Sequence, residues 1–199
     1  MRKRYSGMVL ALLFSANLLA CSSVEEKHIT PDAGMVEQSR DAAKSLLTQL
    51  GATLKQELST NGPVAAVGVC KQVAPAIAAD VSQKTGMQVG RVGTRVRDTA
   101  LGTPDAWEQA ALTDFAARLA KGESAEKMEF TQVVTEPTGK YLRYAKAITV
   151  QPMCLTCHGP AANIPDGVKE RLAVDYPNDK ATGYNVGDLR GAVVVKRAL

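Results

Sequence analysis

The stretch from Phe130 to His158 reads FTQVVTEPTGKYLRYAKAITVQPMCLTCH, and it predicts a β-hairpin followed at once by a cofactor-attachment motif. The runs Phe130–Val134 and Lys140–Val150 are rich in the β-branched and aromatic residues that strands favour. The four residues Glu136-Pro137-Thr138-Gly139 between them have the composition of a turn. We therefore expect two antiparallel strands that lead directly into the sequence Cys154-Leu155-Thr156-Cys157-His158.

This C-x-x-C-H motif is typical of c-type haem attachment. The thiols of Cys154 and Cys157 can add to the two haem vinyl groups, and His158 can then bind the iron from one face. The alternatives are a redox disulfide between the two cysteines, or a zinc site in which Cys70 joins these three residues. A zinc site requires two adjacent side chains to converge on one ion, which is geometrically awkward. The motif therefore predicts one covalent haem c.

The N-terminus has the pattern of an export signal. A basic start, Arg2-Lys3-Arg4, precedes an apolar run from Met8 to Ala20 that is short for a transmembrane helix. The run ends in Leu18-Leu19-Ala20-Cys21, which resembles the lipobox of bacterial lipoproteins; the alternative is an ordinary signal peptide with an incidental cysteine. We expect a signal peptide over 1–20, lipidation of Cys21, a tether over 21–34 and a haem-binding domain over 35–199. The expected location is the periplasm, with the outer membrane favoured by Ser22.

The charge balance points away from nucleic acid. The chain has 24 Lys and Arg against 20 Asp and Glu, and three of the basic residues lie in the predicted signal. Removing the signal leaves 21 basic against 20 acidic residues. A nucleic-acid-binding protein needs a clustered basic face, and the sequence has none. The remaining length suits one compact domain.

The rest of the chain predicts helices before strands. Residues 35–59 have apolar residues at helical spacing, and Pro63 is placed to open a second helix over 64–84, with Pro75 expected to kink it after Cys70. A strand is expected over 88–97 and a third helix from Asp105 to about Lys121. A short helix over 166–173 and a last strand over 190–196 complete the order. Helices followed by an antiparallel meander predict an α+β fold.

The second axial position of the iron has several candidates. The chain has only two histidines, and His28 lies in the predicted tether. Cys70 is the thiol left after one lipidated and two haem-linked cysteines, although a free cysteine is often only a small buried apolar residue. An open site is a further alternative. The methionine candidates are Met35, Met87 and Met128, whereas Met153 is adjacent to the motif and poorly placed to reach the other side of the ring.

Several stretches resemble a bacterial family of single-haem c proteins, long catalogued as a domain of unknown function, whose structural prototype is cyanobacterial and has a PAS-like fold. The matching stretches, in order over residues 40–197, are Val67–Lys71, Ala74–Ala78, Val89–Arg97, Pro104–Glu108, Cys154–Gly159 and Gly187–Gly191. The resemblance implies a PAS-like antiparallel sheet packed on N-terminal helices. It also implies that His158 is the proximal ligand and Cys70 the distal one. The family often has Arg-Asn-Pro where this chain reads Arg97-Asp98-Thr99.

Three arginines are candidates for contact with the haem propionates. Arg91, Arg95 and Arg97 alternate along the predicted strand and would share one face of it. Guanidinium groups pair well with carboxylates. The alternative is an ordinary solvated face of the sheet.

The sequence has no constellation typical of a catalytic site, and three classes of function remain. The first is a redox or gas sensor, in which Cys70 binds ferric iron as a thiolate and leaves on reduction, opening a site for a diatomic ligand. The second is a periplasmic electron carrier, which stays open because the sequence shows no output module through which a sensor would signal. The third is an oxidoreductase acting on sulfur compounds. An enzyme is the least expected of these, and the redox or signalling partner is not indicated.

Overall fold

The computed structural model describes Met1 and residues 30–199. Cys21, His28, most of the predicted signal peptide and most of the tether lie outside the described residues. The helices are α1 (Ala33–Thr60), α2 (Gly62–Gly68), α3 (Ala74–Thr85), α4 (Ala106–Ala120), α5 (Leu155–His158) and α6 (Asp166–Asp175). The strands are β1 (Gln88–Gly93), β2 (Glu129–Glu136), β3 (Gly139–Thr149) and β4 (Leu189–Ala198).

The predicted α+β class is confirmed, with a four-stranded antiparallel sheet in the order β1-β4-β3-β2. The predicted hairpin is present as β2 and β3, which pair from Glu129 opposite Lys146 to Glu136 opposite Gly139. The last strand returns beside β3 and carries β1 on its other edge. β1 is therefore an edge strand of the sheet, and its residues line a cavity.

Two helical layers cover the two faces of the sheet. On one face α1 and α3 pack through Leu46 and Val81 against Tyr144 and Val193. On the other face α4 packs through Leu112 and Phe115, and Arg143 of β3 holds its first turn by ion pairs to two carboxylates there. Burial of these apolar side chains is the main favourable term that fixes the layers.

Local signals explain where the helices begin and end. The side chain of Asp32 accepts a hydrogen bond from the N–H of Met35 and so begins α1, within the last residues of the predicted tether. Asp105 and Glu108 form the capping box that begins α4, where a helix was predicted. Gly86 ends α3 in the left-handed conformation.

The expected kink at Pro75 takes the form of a π-helical turn. Residues Val69–Val73 are π-helical, and they join α2 to α3 with Cys70 inside the turn. A proline lacks an N–H and crowds the carbonyl four residues before it, so a wider turn accommodates the ring. By length and composition Gly62–Thr85 could cross a membrane, but here it packs on α1 and lines a cavity.

The predicted strand over 88–97 is shorter than expected. β1 ends at Gly93, where the N–H of Thr94 bonds to the carbonyl of Arg190 and the chain then bends. Arg95 and Arg97 are therefore not on the strand, and the alternation that placed three arginines on one face was wrong for these two. The sheet cannot continue because the next residues turn toward the loop at Ala181–Tyr184.

Candidate functional site

A cavity of about 610 Å³ lies between β1, the α2–α3 helix, α1 and the segment around α5. Its volume is within the range of about 300–1,000 Å³ that cofactor sites have. Its apolar wall includes Leu50, Leu54, Val67 and Ala74. The reactive side chains in its lining are Cys70, Cys154, Cys157 and His158. The fold thus brings the whole predicted ligand and attachment set to one apolar cavity.

The attachment motif lies on one turn of helix held between two apolar clusters. Cys154 packs against the cluster of Val150, Ala181 and Tyr184, whereas Cys157 packs against the cluster that contains Val67. Burial raises the pKa of the Cys157 thiol to about 11, despite the opposing effect of a nearby guanidinium. The thiol is therefore neutral at neutral pH.

The His158 ring is oriented by a hydrogen bond. Its Nδ1 donates to the carbonyl oxygen of Ala181 at 2.6 Å, which leaves Nε2 as the free ring nitrogen. Burial away from solvent and the positive charges of Arg97 and Arg190 lower the pKa of His158 to about 2, so the ring is neutral. The ring of Tyr184 meets the imidazole edge-on at 6.2 Å between centroids. A neutral imidazole held through Nδ1 is the form that binds a metal through Nε2.

Cys70 enters the cavity from a different wall. It lies in the π-helical turn, and its thiol is near enough to influence the electrostatics of Arg91, Tyr176 and Cys157. In residues 30–199 the three cysteines are free, and no group of three or more His, Cys, Asp and Glu side chains could hold a metal ion. The fold therefore does not form the Cys₃His zinc site considered above.

The methionine candidates are separated by the structure. Met87 and Met128 are buried in the two core clusters on either side of the sheet, and neither lines the cavity, nor does Met35. Met153 does line it, with 37% of its surface exposed. Among residues 30–199, Cys70 and Met153 are therefore the two sulfur side chains, beyond the attachment cysteines, that line this cavity.

The arginines divide into two groups. Arg91 and Arg190 line the cavity, and burial lowers the pKa of each guanidinium. Within the described residues neither forms an ion pair with an Asp or Glu. Arg97 also borders the cavity, but its Nε and Nη2 are bonded to Asp179 and to backbone carbonyls.

Arg95 does not line the cavity. Its guanidinium lies over the ring of Tyr184, 4.4 Å from the ring centroid, and donates to the carbonyl of Thr182. The expectation that it contacts the cofactor is not supported by this placement, because β1 ends before it. Sequence reasoning instead missed Arg190, which lies in the recognised stretch Gly187–Gly191 but was given no role.

Comparison with known proteins identifies the family. The sequence profile of the Tll0287-like family matches residues 30–197. Among solved structures, the cyanobacterial heme-protein Tll0287 aligns with a TM-score of 0.55 and 27% sequence identity, over 83% of this chain and 92% of that chain. No curated protein matches the chain. The matched profile spans the helices, the sheet and every cavity residue named above, and the chain belongs to the Tll0287-like family.

Proposed function

We propose that the cavity holds one covalent haem c, attached through Cys154 and Cys157, with His158 and Cys70 as its axial ligands. The observation that carries the proposal is the neutral His158 ring, held through Nδ1 in an apolar cavity that Cys70, Cys154 and Cys157 also line. The family relationship to a heme-protein supports it. When bound, such a haem supplies reversible one-electron chemistry and an iron that can accept a further ligand.

The other residues of the cavity fit the group. A haem has a large apolar ring, which the leucine, valine and alanine side chains of the wall would bury. It also has two propionates, and Arg91 and Arg190 are two desolvated guanidiniums without an acidic partner in the described chain. Burying a cation without a partner is costly, so these arginines favour an anionic occupant.

The proposed role is redox or gas sensing, through Cys70. A deprotonated thiol binds ferric iron and favours the ferric state, whereas a thiol that has taken up a proton from solvent is a weak ligand. Addition of one electron and protonation of Cys70 would therefore free the second axial position for a diatomic gas. The π-helical turn supports this role, because such turns are frequent at functional sites. Failure of carbon monoxide to bind the reduced protein would contradict it.

Replacing Cys70 with alanine tests the ligand assignment. We expect the thiolate features of the oxidised absorption spectrum to disappear completely while the haem stays covalently attached, because Cys70 is not an attachment residue. The matched control is Met153→Leu, which removes the other sulfur side chain of the cavity and should leave the spectrum unchanged. An unchanged spectrum in Cys70→Ala, with a changed one in Met153→Leu, would move the axial role to Met153.

An electron carrier is the second candidate function. Two apolar residues of the cavity lining, Leu101 and Met153, are 59% and 37% exposed. An exposed apolar rim beside a haem is suited to the brief docking of a redox partner. Fast electron exchange without opening of the axial site would favour this function over sensing.

We also propose that the protein is exported and anchored to a bacterial membrane by a lipid on Cys21. The proposal rests on the sequence alone, because Cys21 lies outside the described residues. In a Gram-negative host with lipoprotein processing, the wild-type protein should incorporate labelled palmitate, and Cys21→Ala should lose this label because it has no thiol to carry the lipid. Ser22→Ala, which keeps the cysteine, is the matched control and should still be labelled. A Cys21→Ala variant that still incorporates palmitate would contradict the lipid on Cys21.

A further inference from the structure

The carbonyl oxygen of Ala181 has two donors. It accepts the Nδ1–H of His158 at 2.6 Å and a hydrogen bond from Nη2 of Arg97 at 3.3 Å. The same nitrogen of Arg97 donates to the carbonyl of Cys157 at 2.6 Å. The guanidinium of Arg97 therefore contacts both the carbonyl that orients the His158 ring and the carbonyl of Cys157, the residue before His158.

The largely buried carboxylate of Asp179 forms an ion pair with this guanidinium. One carboxylate oxygen of Asp179 accepts a hydrogen bond from Nε of Arg97 at 3.0 Å and lies 2.9 Å from Nη2 in an ion pair. The other oxygen accepts from the N–H of Ala181 at 2.7 Å. The side chains of Arg97 and Asp179 are 7% and 11% exposed. The pair is thus held in a low-dielectric environment, where charges act strongly on their neighbours.

The position of the pair has a consequence for the histidine. A carbonyl that accepts the Nδ1–H of a ligating histidine raises the basicity of its other nitrogen. A positive charge on the same carbonyl oxygen withdraws electron density, so it weakens that effect, and a carboxylate beside the charge restores part of it. These are the levers by which a protein adjusts a haem potential without touching the iron.

We propose that Arg97 and Asp179 are positioning residues that set the orientation and basicity of His158 through the Ala181 carbonyl, and thereby the reduction potential of the bound haem. The inference rests on the proposed haem function. It also gives Arg97 a role other than propionate contact, since the Nε and Nη2 groups of its side chain are committed to protein acceptors.

The inference predicts that two variants shift the reduction potential of the haem in opposite directions. Arg97→Gln removes the positive charge from the carbonyl, so we expect the ferric form to be favoured about tenfold, which is a fall of about 59 mV for a one-electron couple. Asp179→Asn keeps the shape but removes the opposing charge, so we expect a rise of similar size. Arg97→Lys keeps the charge and should remain nearer the wild-type potential than Arg97→Gln. Potentiometric titration of the purified haem protein measures all three.

The control is Arg95→Gln, which removes an equal charge two residues away from a side chain that does not contact the Ala181 carbonyl. Arg95→Gln should shift the reduction potential much less than Arg97→Gln does. Shifts of the same sign in Arg97→Gln and Asp179→Asn, or shifts no larger than that of the control, would overturn the inference. If Arg97→Gln does not fold, the rise expected for Asp179→Asn decides alone. A wild-type chain without haem would instead overturn the proposed function.

Discussion

Haem that survives denaturation is expected to be lost completely when Cys154 and Cys157 are both replaced by alanine. Each thioether needs a cysteine sulfur, and these are the two cysteines that precede His158 in the C-x-x-C-H motif. Coexpression with c-type haem maturation machinery, followed by haem staining of a denaturing gel, measures the covalent fraction. We expect it to fall from about one haem per chain to zero.

The denaturing step is what makes this result decisive. The double variant keeps His158, Cys70 and the cavity arginines, so it can still bind haem without a covalent bond. A native spectrum alone would therefore not distinguish the two modes of binding. The control is Cys70→Ala, which also removes one thiol from the cavity and should retain the stained haem. Stained haem in the double variant would show that attachment occurs elsewhere, and its absence from the wild type would refute covalent binding.

Local patterns were sufficient to predict most of the elements. The Phe130–Val150 hairpin, the capped helix after Asp105 and the apolar periodicity of α1 all appear where the sequence placed them. Each depends on residues close together in the chain, and each also agrees with how the element packs. The C-x-x-C-H motif is of the same kind, because its spacing alone places two thiols and a histidine on one turn.

Residues whose role depends on distant neighbours were harder to predict. β1 stops at Gly93 because the following residues bond to the loop near Ala181, almost ninety positions later, and no local pattern shows this. Asp179 has no sequence signal that connects it to Arg97. Arg190 lay in a recognised stretch, but only the folded sheet brings it to the cavity wall. Tertiary contacts of this kind are decided by packing, to which single-sequence reasoning has no access.

Gly191 illustrates a close approach that only the structure reveals. It lies in β4 opposite Gly93 of β1, beside the irregularity where β3 passes Ile148 and Thr149. Its φ is +158°, and a Cβ added there would lie 2.0 Å from the carbonyl oxygen of Val92. That atom belongs to backbone and cannot rotate away, so a side chain would force the two strands apart.

Gly191→Ala is therefore expected to destabilise the fold strongly. The unfavourable φ costs about 1–2 kcal/mol and the forced strand shift about 1–3 kcal/mol, so we expect a loss of about 3 kcal/mol in the free energy of unfolding. For a chain of this size, that corresponds to a fall in Tm of about 10 °C. Thermal unfolding followed by circular dichroism measures it.

The matched control for this substitution is Gly90→Ala in β1. Gly90 faces Val194 across the same pair of strands, but a Cβ there would lie at an ordinary 3.8 Å from a Val194 methyl, and its φ is not in the left-handed region. We expect Gly90→Ala to change the free energy of unfolding by less than about 0.5 kcal/mol. Equal Tm values for the two variants would show that the β1–β4 contact is looser than the structure describes. A large fall in Tm for Gly191→Ala alone would establish that the close packing of β1 against β4 requires glycine at position 191. These two strands position Arg91 and Arg190.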